Sequence, residues 1–200
     1  MDDKTNKKIT GYHGTKKENV ENICTNNFNI NEDKNNKLFL GYGIYFFDKY
    51  DDAVDWNIKA FIKELSYCPK YKILQEKYSI IESEIEVESD QILDLDEKEN
   101  LVKLEMLVDK IKGKLITKPE YQRARNKTSA IINMLYKRGK LKKKVIVKTF
   151  IETIDMKNLS SFKNYARKMF CVKDVNVIAR NKENKELKEE VFEGIIFFYK

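Results

Sequence analysis

Four of the seven glycines fall within the first 43 residues, at Gly11, Gly14, Gly41 and Gly43. Glycine gathers where a backbone turns sharply or another group must approach it closely. Here the glycines bracket two short apolar stretches. Residues 8–12, KITGY, read as a strand that ends at His13-Gly14-Thr15, and residues 43–47, GIYFF, read as a second strand. A lone histidine at a strand end is usually structural or exposed, but the glycine that follows it and a second glycine cluster ending in an aromatic strand favour a functional one.

The rest of the chain supplies an α+β set of elements. Thr15 could cap a helix over roughly 16–26, with Val20, Ile23 and Cys24 on one face. Asp48 or Asp51 could cap another over roughly 51–66, with Ala53, Trp56, Ala60, Phe61 and Leu65 near one face. Residues 78–88 alternate, Ile85 and Val87 facing one way and Glu84, Glu86 and Glu88 the other, as in a half-wet strand. Residues 92–95, 144–151, 169–178 and 191–199 read as further strands, and 97–112 and 119–138 as helices, the last ended by Gly139. Pro69 follows a predicted helix and Pro119 suits a first helical turn.

Charge and cysteine usage remove several function classes. The net charge is +7. Nine acidic residues lie in 82–99, and seven bases lie in 137–148: Lys137, Arg138, Lys140, Lys142, Lys143, Lys144 and Lys148. A solvated face explains either run; contact with nucleic-acid phosphates is the functional reading of the basic one. Cys24, Cys68 and Cys171 are odd in number and contain no CxxC, so they read as reduced thiols, not as a disulfide framework. A single histidine, His13, cannot build a His-rich metal site. No apolar run approaches the ~18–20 residues of a spanning helix, and the polar MDDKTNKK start lacks a signal-peptide core. A cytoplasmic setting with no membrane partner is the expectation.

His13-Gly14-Thr15, then Gly41-Tyr42-Gly43-Ile44-Tyr45-Phe46-Phe47, then Trp56 eleven residues past Tyr45, together resemble the ADP-ribosyltransferase superfamily in its diphtheria-toxin and poly(ADP-ribose) polymerase branch. That branch is marked by a His–Tyr–Glu triad: an HG(S/T) strand end, a GxGIYF-type strand and a glutamate on a later strand. The resemblance covers about residues 8–60 and beyond that rests on strand order. It implies an ADP-ribosyltransferase-like split antiparallel β-sheet with an NAD cleft, residues 1–200 as one domain, and a helical and basic insertion at about 96–150. NAD would be the substrate. His13 would hold ribose hydroxyls, Gly14 would meet the nicotinamide carboxamide, and Tyr45 and Trp56 would sandwich the nicotinamide ring, with Thr15 and Gly43 completing the cofactor site. Aromatic contacts of that kind contribute about 0.5–1.5 kcal/mol each beyond area burial, more for a cationic ring.

Two positions depart from the family pattern. Matching the strands puts Met169 where the family has its glutamate, leaving Glu193 and Glu152 as the nearest substitutes, with Glu193 taken beside His13 and Tyr45 as catalytic. Ala53 stands where many relatives have a serine that bonds the carboxamide. In the family, loss of the glutamate goes with mono- rather than poly-transfer or with loss of activity. The implied function is therefore a mono-ADP-ribosyltransferase acting on a protein or nucleic acid, as a bacterial toxin or phage-defence effector, with an antitoxin or regulatory chain as a further partner. The alternative is a catalytically impaired module of the same fold that binds NAD, ADP-ribose or a partner. The cholera-toxin-like branch needs an arginine before its ExE segment, and here Arg123 follows ESEIEVE at 82–88. RNA 2′-phosphotransferases need early arginines and a second histidine, which this chain lacks.

Overall fold

The alternation of residues 78–88 is kept as a strand, and it organises the sheet around it. The computed structural model describes residues 5–30, 39–67, 69–115, 117–124, 126–153, 164–184 and 188–196. Strand β1 (Asn6–Lys16) pairs antiparallel with β3 (Tyr78–Glu88) along its whole length, from Asn6 opposite Glu88 to Lys16 opposite Tyr78. Ile81, Ile85 and Val87 are buried while Glu84 and Glu88 are exposed, and Glu86 pairs with Lys8 at 2.6 Å. With β2 (Ile44–Phe47), β4 (Ile92–Asp94), β5 (Val145–Thr153), β6 (Asn164–Val172) and β7 (Ile178–Asn184), these strands form one open seven-stranded sheet in the order β4-β5-β6-β2-β1-β3-β7. The expected wholly antiparallel split sheet is thus corrected: the sheet is continuous and mixed, because β4 runs parallel to β5.

Helix α1 (Val20–Asn26) covers one face, over Phe28, Phe46, Ile81, Phe170 and Val172. The other face carries Phe47, Met169 and Cys171. It is covered by α2 (Tyr50–Leu65), α3 (Tyr71–Lys77), α6 (Lys127–Lys137) and α7 (Glu189–Ile196), with residues of α4 (Lys98–Leu115) at the margin. Each fully buried Phe or Ile here contributes about 1.5–3 kcal/mol. Arg167 on β6 is 5% exposed and ties the sheet to α2 through Asp52 at 3.3 Å and Asp55 at 2.6 Å.

Several local expectations change. The expected helix over 119–138 is two helices, α5 (Pro119–Arg123) and α6, because Asn126 caps the second by accepting from Ser129 N–H at 3.0 Å. Neither Asp48 nor Asp51 caps α2, whose N-cap is Lys49, and Thr15 remains within β1. The strand expected over 169–178 runs 164–172 and breaks at Asp174, whose side chain caps a 3₁₀ turn (Val175–Val177) before β7. The strand expected over 191–199 is instead α7 as far as residue 196, and 197–199 lie outside the described residues. There Glu189 and Glu190 favour a helix start, while Phe192 packs on Tyr71 of α3 and Val191 and Ile195 join the same core. No helix among the described residues is long and apolar enough to cross a membrane.

Candidate functional site

The ladder between β1 and β2 consists of one register pair, Tyr12 opposite Phe47. β1 continues through Lys16 while β2 begins at Ile44, so the strands run on side by side without further pairing. His13-Gly14-Thr15 therefore faces Ile44-Tyr45-Phe46 across a seam in the sheet. Unpaired backbone at a sheet interior is the place where an extra hydrogen-bonding group can enter.

His13 bridges this seam. Its Nδ1 lies 2.7 Å from the Tyr45 carbonyl oxygen. A carbonyl only accepts, so Nδ1 carries the proton and Nε2 keeps a lone pair. Burial pushes the imidazole below its ordinary value, against the opposing effect of the Tyr45 bond. The ring is edge-on to Phe28 at 5.0 Å and to Phe46 at 5.8 Å, on the α1 side of the sheet. The result is a neutral, oriented hydrogen-bond acceptor with no protein partner for Nε2 among the described residues.

Tyr45 points to the opposite face. Its hydroxyl accepts from Leu40 N–H at 2.8 Å and donates to the Gly41 carbonyl at 2.8 Å. Burial raises its pKa far above the ordinary phenol value. The hydroxyl is thus committed and stays protonated, so what Tyr45 offers a ligand is its ring. The loop holding that hydroxyl is itself locked. Asn133 of α6 accepts from Tyr42 N–H at 2.7 Å, and the Lys173 ammonium donates to the Leu40 carbonyl at 2.6 Å and to that of Tyr42. Lys173 lies beneath the loop, its pKa lowered by burial. Gly41 (φ +78) and Gly43 (φ +150) take the backbone values the turn needs, and a Cβ on Gly43 would lie 2.6 Å from both Cys171 Sγ and the Val172 carbonyl.

Gly14 has a packing reason that the motif does not show. A Cβ there would sit 2.5 Å from Asn57 Oδ1 and 2.8 Å from the Ala53 carbonyl, so α2 rests directly on β1. Ala53 is fully buried at this crossing, and Asn57 donates to the Ser79 carbonyl at 3.0 Å. Thr15 is buried, with Asn19 Nδ2 at 3.5 Å from its hydroxyl. Trp56 is 45% exposed and leans on Phe47 with ring centroids 6.1 Å apart. Gly14, Thr15 and Trp56 line one open depression of about 600 Å³ at the end of the seam. No ring contact joins Tyr45 to Trp56 among the described residues.

Of the expected residues, the fold brings His13, Gly14, Thr15, Gly43 and Tyr45 to the seam and Trp56 to its rim. Glu193 does not join them. It is exposed on α7, in a shallow surface lined by Lys188, Glu189 and Glu190. Glu152 is opposite Tyr165 in the β5–β6 ladder, and its side chain lies outside the described residues. Met169 is opposite Phe47 and 7% exposed, packed in the core under α2 and α7. Asn133, Lys173, Asn57 and Arg167 escaped the sequence reading. Their signal was a polar residue in an otherwise apolar helix face or strand, as in AIINML and MFCVK. Comparison of the chain with protein-family models, with curated proteins and with solved structures returns no match.

Proposed function

We propose that this chain has an ADP-ribosyltransferase-like fold and binds NAD across the seam between β1 and β2. It cleaves the nicotinamide–ribose bond and transfers one ADP-ribose to a macromolecular acceptor, protein or nucleic acid. The supporting observation is that β1–β2 pairing stops where His13-Gly14-Thr15 and the Tyr45 strand lie opposite each other. His13 Nε2 suits acceptance of a hydrogen bond from a ribose hydroxyl, since the Nδ1 bond already fixes the ring. The Tyr45 ring, its hydroxyl anchored in its own loop, and the Trp56 ring at the rim suit the two sides of a nicotinamide.

In the step itself the C1′–N bond breaks and its electron pair stays with nicotinamide, which leaves neutral. The acceptor nucleophile bonds to C1′ and its proton passes to solvent. Met169 in place of a carboxylate suits a single transfer, because a positioned acid or base at that point contributes about 10²–10⁴-fold. A toxin or phage-defence effector held in check by a regulatory chain, acting in the cytoplasm, is the setting proposed. The second reading, a binding module that holds NAD or ADP-ribose without turnover, draws on the same burial of Met169 and on Ala53 at the β1–α2 crossing.

Nicotinamide release from NAD separates the two. The transferase reading expects release by the wild-type chain and its loss in both His13→Ala and Tyr45→Ala. Calorimetric NAD binding without release, with cell lysate supplied as acceptor, leaves the binding module. Absence of both release and binding overturns the NAD reading.

A further inference from the structure

The members of the basic run divide into two groups. Lys143 donates to the Asp90 carbonyl, Lys144 lies 3.7 Å from Asp174, and Lys148 lies 2.9 Å from Asp96. These three are held by the fold. Lys137, Arg138, Lys140 and Lys142 are exposed, and the last three have no acidic partner among the described residues. No acid occurs anywhere in residues 137–144.

The turn that displays them is fixed. Gly139 N–H donates to the Tyr136 carbonyl at 2.9 Å and Lys140 N–H to that of Leu135 at 2.9 Å. Leu141 is buried at 8% exposure, and the Tyr136 hydroxyl donates to the Lys143 carbonyl at 2.5 Å. The turn also adjoins the loop that carries Tyr45. Lys137 Nζ lies 5.9 Å from the centre of the half-buried Tyr42 ring, and Asn133 on the same helix holds Tyr42 N–H.

We propose that the α6–β5 turn is a docking surface for the phosphate backbone of nucleic acid, placed beside the loop that carries Tyr45 to deliver that strand to the seam. This rests on the transferase reading only in making the docked strand the acceptor. Acidic protein is the weaker fit. Stable protein interfaces centre on desolvated apolar or aromatic anchors and are poor in lysine, and the apolar residues of the run, Leu141, Val145, Ile146 and Val147, are all buried. Phosphates need only the fixed cations, and no acid in residues 137–144 stands beside them to oppose a polyanion.

The test measures fluorescence anisotropy of labelled oligouridylate and oligothymidylate with the full chain, without NAD. Three phosphate contacts, from Arg138, Lys140 and Lys142, give a log–log salt slope of about −2, or about 20-fold weaker binding between roughly 50 and 200 mM salt. The variant Arg138→Gln/Lys140→Gln/Lys142→Gln should keep its thermal midpoint and lose most of that slope. Nicotinamide release tested beside it keeps the two readings apart. Binding without release leaves the docking surface and refutes the transferase. Release without oligonucleotide binding overturns the docking surface alone. Equal binding by the triple variant, or preference for a polyglutamate peptide over the oligonucleotides, also overturns it.

Discussion

Replacing Gly14 with alanine asks whether that glycine serves the fold or only a ligand. The added methyl would stand 2.5 Å from Asn57 Oδ1 and 2.8 Å from the Ala53 carbonyl. The helix carbonyl cannot swing away, so α2 must lift, and overpacking of this kind costs about 1–3 kcal/mol. Asn57 must turn as well, which breaks its 3.0 Å bond to the Ser79 carbonyl, at about 0.5–1.5 kcal/mol. Against this, alanine restricts the unfolded chain and returns about 0.4–1 kcal/mol. The net loss is about 2 kcal/mol, or a Tm lower by about 4–8 °C for a chain of this length. Urea melts with an unchanged m-value would report it. Because Asn57 shares the strain, Gly14→Ala and Asn57→Ala should be non-additive by about 1 kcal/mol in a double-mutant cycle. Wild-type stability in Gly14→Ala, with NAD binding lost, would refute the seating of α2 on β1 and leave the glycine to the ligand.

Two further predictions concern charge. Arg167→Met takes the guanidinium from buried Asp52, while Asp55 keeps the Lys59 ammonium at 3.0 Å; it should cost about 3 kcal/mol of unfolding free energy in urea melts, with part recovered by adding Asp52→Asn. Asp96 accepts from Thr149 N–H and hydroxyl and from Lys148. Although burial opposes it, these bonds hold the carboxyl below its ordinary 3.8. Its contribution, about 1 kcal/mol at this exposed, solvent-screened carboxyl, is full above that value and is lost as the pH falls through the lowered folded one. Asp96→Asn should therefore be less stable than wild type at neutral pH, and the difference should shrink as the pH falls through the lowered folded value in thermal melts.

Some elements were legible because one periodicity was long enough to decide them. Residues 78–88 alternate over a full strand, and 51–66 keeps a helical stripe that the fold realises as Tyr50–Leu65. VFEGIIFFY failed for the opposite reason: a short apolar run rich in β-branched and aromatic residues fits either a strand or a helix, and packing on α3 decides for the helix. α3, in YKILQEK, is seven residues long and gave no sustained stripe. At the site, His13, Tyr45 and Trp56 were visible because glycine and aromatic residues cluster locally. Asn133 and Lys173 were not, since they reach the 40–43 loop from 91 and 131 to 133 residues away. The local signal, a polar residue in an apolar stretch, does not say where its partner lies.

The seam has a consequence for how the molecule can be divided. Both glycine-bearing motifs lie in the first 60 residues, yet β2 owes its ladder to β6, and β3, which carries β1, is closed on its far side by β7. A chain cut within the α4–α5 region would leave every motif residue on the first piece and no wall to set them against. The second piece would hold β5, β6 and β7 with none of the motif. Neither half would be a weakened version of the whole. Mixed together, they would form a two-part protein whose site comes into being only when the pieces meet.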